Sequence, residues 1–227
     1  MGTGQRDQNR IGLARDSPRS REKPMIRSLS LSFLVLIVLT SAALADTLAP
    51  FQVLSVVHAE SPAIDKAEHV SMRASGHLFW VPEEGTHALF GYVGPKFTFK
   101  EEHATVWFAP QVGVAGHWTP SGGAAALASL WFGINLLDDA IAIFLEGDGY
   151  FAEGVHDYFG YYEASFTPPW KLPLHVGFQV EQLNAGVTFG PQVTATIGPM
   201  LFGLQYHVAP QEDTTSHILR GVFMIFL

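Results

Sequence analysis

Hydrophobic and polar residues alternate one by one along most of the chain from about Val70 to Leu227. Nearly every residue of one parity is apolar or aromatic, whereas Glu, Gln, His, Thr and Arg fall on the other parity. A period of two residues is typical of β-strands that have one apolar face. Ten segments show this pattern, and turn-forming Gly, Pro, Asn and Asp lie between them. The segments are residues 70–80, 88–99, 104–118, 124–136, 140–151, 155–167, 174–183, 186–197, 200–208 and 217–227.

These segments predict an all-β fold, a closed antiparallel barrel of about ten strands over residues 70–227. Eight strands is the alternative, if the first pair of segments is misread. Most segments have about the 9–11 residues that a tilted strand needs to cross a membrane. An even count would place both ends of the barrel chain on one side, with the longest late loop, Ala209 to Ser216, on the other.

Proline recurs in the middle of three segments, at Pro95, Pro110 and Pro191. Because proline has no backbone N–H, it removes one hydrogen bond from a β-ladder and normally marks an edge or a bulge. All three prolines lie on the apolar parity. The pattern therefore predicts bulges that bend strands around a closed wall, and strand breaks are the alternative.

The first 69 residues divide into three parts before the barrel. Residues 25–45 have a basic start, an apolar run from Leu29 to Leu39 and small residues at Ala43-Leu44-Ala45, which predicts a signal peptide cleaved before Asp46. Residues 1–24 are a polar extension, and translation is expected to start at Met25. Residues 46–69 are interpreted as a periplasmic lead-in.

Charge and cysteine content exclude several classes of function. Residues 46–227 contain 6 Lys and Arg against 18 Asp and Glu. So acidic a chain is not expected to bind nucleic acid, which needs clustered basic residues. The sequence has no cysteine, which excludes disulfides, thiol catalysis and thiolate metal sites.

The apolar parity decides between a soluble barrel and a membrane barrel. If these apolar residues faced water, they would form a broad apolar surface of a kind that soluble monomers avoid. If they face lipid, such a surface is required. Aromatic residues also lie near the predicted strand ends, as in the interfacial girdles of membrane barrels. These are Trp80, Phe99, Trp118, Phe151, Phe166 and Trp170.

The chain resembles small bacterial outer-membrane β-barrels in this pattern and in its last strand. There, Leu219, Gly221, Phe223, Ile225 and Leu227 share one parity, although the chain ends in Leu and Phe226 is penultimate. The resemblance implies an exported protein of the Gram-negative outer membrane that contacts lipid and is assembled through its C-terminal strand. A secreted, lipocalin-like ligand-binding barrel is the alternative.

The polar parity would then face the lumen, and its charges are predicted to segregate. Arg73, Lys96 and Arg220 form a basic wall on the first, second and last predicted strands. The opposite acidic wall contains Glu146, Asp148, Asp157, Glu163 and Glu181. Asp148 and Asp157 are expected side by side across a hairpin. The remaining polar lumen residues are His77, Gln111, His117, His175, Gln179, Gln192, Gln205 and His207.

Two interpretations of this lumen remain open. Buried charges need partners, so cross-lumen ion pairs could plug the barrel; alternatively, the two walls could line a narrow pore for small polar solutes. The ten histidines are dispersed, without HxH or HExxH spacing, and no metal or other cofactor is expected.

No catalytic residues are predicted either. A lipid A-modifying or omptin-like outer-membrane enzyme is the alternative, because His156-Asp157 faintly resembles the His–Asp pair of omptins and Ser216-His217 could supply a nucleophile and a base. Neighbouring residues of a strand point to opposite faces, so neither dipeptide forms a catalytic dyad. The predicted role is structural or that of a narrow pore.

Overall fold

The residues that the structure describes form a closed, all-β barrel of eleven strands. The structure is a computed structural model, and it describes residues 50–67, 69–118, 123–153, 155–169, 172–211 and 214–227. The strands follow one another around the wall in chain order. They are β1 (Gln52–Glu60), β2 (Val70–Val81), β3 (Thr86–Glu101), β4 (Ala104–Trp118), β5 (Ala124–Leu136), β6 (Ile141–Ala152), β7 (Val155–Phe166), β8 (Leu174–Leu183), β9 (Gly186–Ile197), β10 (Met200–Pro210) and β11 (Thr215–Phe226).

The all-β closed barrel is confirmed, and the ten predicted segments correspond to β2 through β11. The predicted polar parity faces inward. In β8, for example, Gln179 is fully buried, whereas Phe178 on the opposite parity is exposed. The predicted signal peptide and polar extension, residues 1–45, lie outside the described residues. Of the described residues, none belongs to a helix long and apolar enough to cross a membrane.

The eleventh strand comes from the segment interpreted as a lead-in. Residues 52–60 do not precede the barrel but form β1, which closes it between β2 and β11. β1 pairs with β2 in antiparallel fashion and with β11 in parallel. Gln52 lies beside Arg220, and His58 lies beside Phe226. The parallel pair is a consequence of the odd count, since the first and last strands of an odd meander run in the same direction.

The odd count also changes where the chain enters and leaves the wall. β1 begins at the end of the barrel where β10 finishes and β11 starts, and β11 finishes at the opposite end. We call these the entry end and the exit end. The prediction that both chain ends share one side is therefore wrong. The late loop predicted from Ala209 to Ser216 is reduced to residues 211–214, because β10 and β11 extend to Pro210 and Thr215. It is therefore shorter than the nine-residue connection 61–69 at the exit end.

Local hydrogen bonds and backbone shape fix the connections. In the β1–β2 connection, the Val70 N–H donates to Asp65 Oδ1 at 2.7 Å, and this bond holds the pKa of the Asp65 carboxyl below its usual range. Asn184 begins the β8–β9 turn with φ 52°, a left-handed conformation that asparagine tolerates better than most residues. Its side chain is the acceptor for the Tyr158 N–H at 3.0 Å.

The mid-strand prolines cause neither bulges nor breaks. Val93 pairs with Val112 and Phe97 with Phe108 in one unshifted register, so no extra residue is inserted near Pro95 and Pro110. Glycine makes this continuity possible. A Cβ at Gly94 would lie 2.1 Å from the Pro110 carbonyl oxygen, and one at Gly190 would lie 1.9 Å from that of Tyr206. The backbones approach at these points more closely than any side chain would allow.

Candidate functional site

The lumen contains a cavity of about 850 Å³ that reaches the entry end. Gly123, Gly186 and Gln211 line it at the turns of this end, and Trp131, Glu146 and Arg220 line its inner part. Its wall is mostly apolar, which the sequence did not predict for the polar parity. The apolar lining side chains include Leu54, Val56, Phe79, Phe90, Phe159, Leu183 and Ile218.

An ion pair crosses the lumen in the inner part of this cavity. Arg220 on β11 donates through Nη1 and Nη2 to the two carboxylate oxygens of Glu181 on β8, with Nη2 3.0 Å from Oε2. Its Nε and Nη2 also donate to Gln52 Oε1 at 3.1 and 2.8 Å. Both charged side chains are nearly inaccessible to solvent. Since the pair is bidentate and further hydrogen-bonded, the charge of Arg220 is balanced within the wall.

Amides, a phenol and an imidazole extend this contact across β7 to β10. Gln179 and His207 are fully buried and lie 3.0 Å apart between Nε2 atoms. Tyr161 O–H is within hydrogen-bonding distance of Gln179 Oε1 at 3.1 Å and Glu163 Oε2 at 2.7 Å. Gln205 donates to Gln192 Oε1 at 2.9 Å. This side of the lumen is filled by polar groups that satisfy one another.

Among the other acidic residues, Asp148 and Asp157 lie in separate surroundings, whereas Glu146 shares a hydrogen bond with Asp148. Asp148 is buried and accepts hydrogen bonds from Tyr92 O–H at 2.8 Å and from Ser129. Asp157 accepts one from Asn184 Nδ2 at 2.9 Å. The expected side-by-side arrangement of Asp148 and Asp157 is not found, because Asp157 pairs with Tyr150 in the register of β6 and β7.

The predicted basic wall is divided between two levels of the barrel. Arg73 lies beside Glu60, near the exit end of β1, whereas Arg220 lies beside Gln52 at its start. Lys96 Nζ is 2.7 Å from Glu60 Oε2, so it belongs with Arg73. The grouping of all three residues was wrong because β1, unrecognised in the sequence, separates β2 from β11 and supplies Glu60.

Inside the barrel, the Arg73 and Lys96 side chains pack against the faces of aromatic rings. The Arg73 guanidinium lies 4.8 Å from the ring centre of Trp131 and 5.2 Å from that of Trp107. Lys96 Nζ also lies 5.2 Å from the Trp107 ring. Trp131, 1% exposed, contacts His58 from the opposite wall at a ring distance of 5.8 Å. Cation–π and edge-to-face contacts of this kind fill the middle of the barrel.

Histidine and glutamine side chains occupy several lumen positions without forming a metal site. Ser75 Oγ lies 2.7 Å from His77 Nε2 and 3.0 Å from His58 Nδ1. His175 Nδ1 is 2.7 Å from Thr167 Oγ1. Gln111 is buried, with no partner for its side-chain amide among the described residues. The described residues contain no group of three or more His, Asp or Glu suited to a metal ion. The His117 side chain lies outside the described residues.

The enzyme-like sequences do not assemble a catalytic group. His156 is exposed on the outer face, whereas Asp157 faces the cavity. His217 contacts Tyr206 on the outer parity, with ring centres 5.8 Å apart. Ser75 lies between two imidazoles, as an activated nucleophile would, but it is buried and is not among the described residues that line the cavity.

The predicted interfacial aromatics form two exposed levels on the outer wall. Trp80 and Phe151 lie at the entry end, and Phe99 and Phe166 lie at the exit end. Trp80 stacks on His87 with ring centres 5.8 Å apart. The Trp118 side chain and the whole of Trp170 lie outside the described residues.

Sequence reasoning missed the lumen residues of β1 and the internal aromatics. Gln52, His58 and Glu60 share one parity with Leu54 and Val56, which line the apolar cavity. Polar and apolar residues are thus mixed on the inner face of β1. Trp131 and Tyr92 could have been placed by parity, since they alternate in step with Ser129 and Lys96.

No protein-family model, curated protein or solved structure significantly matches this chain.

Proposed function

We propose that the chain is a β-barrel of the Gram-negative outer membrane, with a lumen closed to ions and no catalytic role. The supporting observation is its reversed polarity. On the outer wall, Val112, Val114 and Leu130 are 64%, 67% and 55% exposed, whereas Gln179 and His207 inside are 0% exposed. An apolar outer surface is costly in water and is what a lipid bilayer requires.

Closure of the wall supports the same proposal. Every strand from β1 to β11 has two hydrogen-bonded neighbours, so no edge strand is left with unpaired backbone groups, as the hydrocarbon region requires. Strands of 9 to 16 residues are long enough to cross it. The eleven strands depart from the even count usual in bacterial single-chain barrels, and the parallel seam of β1 and β11 accommodates this difference.

The lumen contacts favour a plugged barrel over a narrow pore. Several contacts of the described residues join strands that are not neighbours. They include Arg220–Glu181, Tyr92–Asp148 and His58–Trp131. Since these side chains extend into the lumen and meet there, they narrow any water path through it. In this proposal the barrel contacts membrane lipid through its outer face and the assembly machinery through β11.

Reconstitution tests location and plugging separately. The chain is expressed with its own N-terminal segment, and the cell fraction that contains it is determined. Its heat-modifiable migration on SDS gels and its conductance in planar bilayers are then measured. We expect outer-membrane recovery, a folded band that shifts on boiling, and no conductance steps. Stable, discrete conductance of the wild-type protein would contradict the plug. Recovery as a detergent-free soluble protein would contradict the membrane barrel and favour the lipocalin-like alternative.

A further inference from the structure

The cavity at the entry end combines apolar walls with more acidic than basic side chains. Among the described residues that line it, Glu146, Asp157, Glu163 and Glu181 are acidic, whereas Arg220 is the one Lys or Arg side chain. Arg220 is held by Glu181 and Gln52. None of the described basic residues forms an ion pair with the other three carboxylates; Asp157 and Glu163 accept hydrogen bonds from Asn184 and Tyr161.

Aromatic rings line the same cavity. Phe79, Phe90, Tyr92, Trp131, Phe144 and Tyr161 all line the cavity. The negative face of an aromatic ring attracts a cation, and more strongly where water is excluded. The barrel already uses this attraction, since Arg220 lies 5.4 Å from the ring centre of Phe79 and Arg73 lies 4.8 Å from that of Trp131.

We propose that this cavity binds a hydrophobic organic cation, an amine or quaternary ammonium ion with an apolar body. The volume of about 850 Å³ lies in the range of small-molecule sites, which are mostly apolar with a few polar groups. The apolar body contacts residues such as Leu54, Phe90 and Ile218, and the positive group lies near Glu163. The carboxylates of Glu163 and Asp157 repel an anionic amphiphile. This site does not depend on the proposed membrane location or on the plug.

Two ions of matched size and opposite charge test the proposal directly. Binding of tetraphenylphosphonium and tetraphenylborate to the full chain in uncharged detergent micelles is measured by calorimetry, with empty micelles subtracted. We expect saturable binding of the phosphonium and at least about tenfold weaker binding of the borate. Equal binding of both ions, or no saturable binding of the phosphonium, would overturn the proposal.

Variants then locate the site within the barrel. Glu163→Gln and Glu163→Ala are each expected to weaken phosphonium binding by about tenfold. Ala125→Trp is expected to abolish it by filling the cavity, which Ala125 lines. Glu60→Gln is the matched control, since Glu60 lies outside the cavity and pairs with Lys96. Only proteins with a heat-modifiable folded band are compared. Unchanged binding in Ala125→Trp and in the folded carboxylate variants would overturn the assignment.

Discussion

Arg220 and Glu181 face each other across the lumen from β11 and β8, which are three places apart in the wall. The Glu181 carboxylate accepts hydrogen bonds from both terminal nitrogens of the guanidinium, and Gln52 of β1 accepts a hydrogen bond from the same group. Three distant parts of the chain are therefore held by one charged group. Because β1 and β11 meet at the seam of the barrel, this contact also links the seam to β8.

Arg220→Met should destabilise the barrel strongly. It leaves Glu181 buried without its cation, a change that typically costs about 3–5 kcal/mol. The free energy of unfolding is measured by urea titration in lipid vesicles. Glu181→Leu combined with Arg220→Met should recover most of the loss, because no unpaired charge remains.

The Lys96–Glu60 pair supplies the comparison. It is more exposed than the central pair, so Lys96→Met should cost only about 0–1 kcal/mol. Equal losses for Lys96→Met and Arg220→Met would show that burial does not distinguish these two pairs.

A charge placed in the middle of the outer wall distinguishes lipid from water. Val112→Lys should lower the free energy of unfolding from vesicles by about 2–4 kcal/mol, the usual effect of lysine near the membrane midplane. Ile64→Lys is the control, since Ile64 is equally exposed but lies in the β1–β2 connection; its effect should stay within about 0.5 kcal/mol. An unchanged free energy of unfolding in Val112→Lys would contradict the membrane barrel.

Alanine at Gly190 should disturb the contact between β9 and β10. Its Cβ would lie 1.9 Å from the Tyr206 carbonyl oxygen, so the strands must separate, at a cost of at least about 1–3 kcal/mol. Gly147→Ala in β6 is the matched control, because a Cβ there has no atom within 4 Å among those considered. Similar urea midpoints for the two variants would contradict the close approach.

Removing β1 should prevent closure. A chain that begins at residue 62 leaves β2 and β11 as unpaired edges, so it should show no heat-modifiable band after refolding. A chain that begins at Pro50 should keep that band. A synthetic peptide of residues 50–61 should restore part of it by strand addition. Normal folding of the shorter chain alone would show that β1 is dispensable for the wall.

The strand pattern was readable from the sequence wherever the two faces differ in polarity. In β8, alternate residues such as Gln179 and Phe178 point to surroundings of opposite polarity, and the period of two follows. β1 has no such contrast, since Leu54 and Val56 face an apolar cavity while Val53 and Val57 face outward. A strand with apolar residues on both faces loses its alternation, which is why the eleventh strand was missed.

The contacts between side chains inside the lumen could not be predicted from the sequence. Parity placed Arg220 and Glu181 inside, but their contact depends on how far each strand is shifted along its neighbours. The sequence does not specify these shifts, because the prolines that suggested bulges leave the register unchanged. The apolar cavity was hidden for a related reason: Phe79, Phe90 and Ile218 read as interruptions of a polar face, not as one surface.

The parallel seam has a consequence for the order of folding. Gln52 and Arg220 are 168 residues apart in sequence, so β1 has no partner on that flank until the last strand has been synthesised. An incomplete sheet exposes two unprotected margins that can associate with other chains. Such a long-range closure favours a slow, late, all-or-none final step, and these margins stay exposed until it is complete.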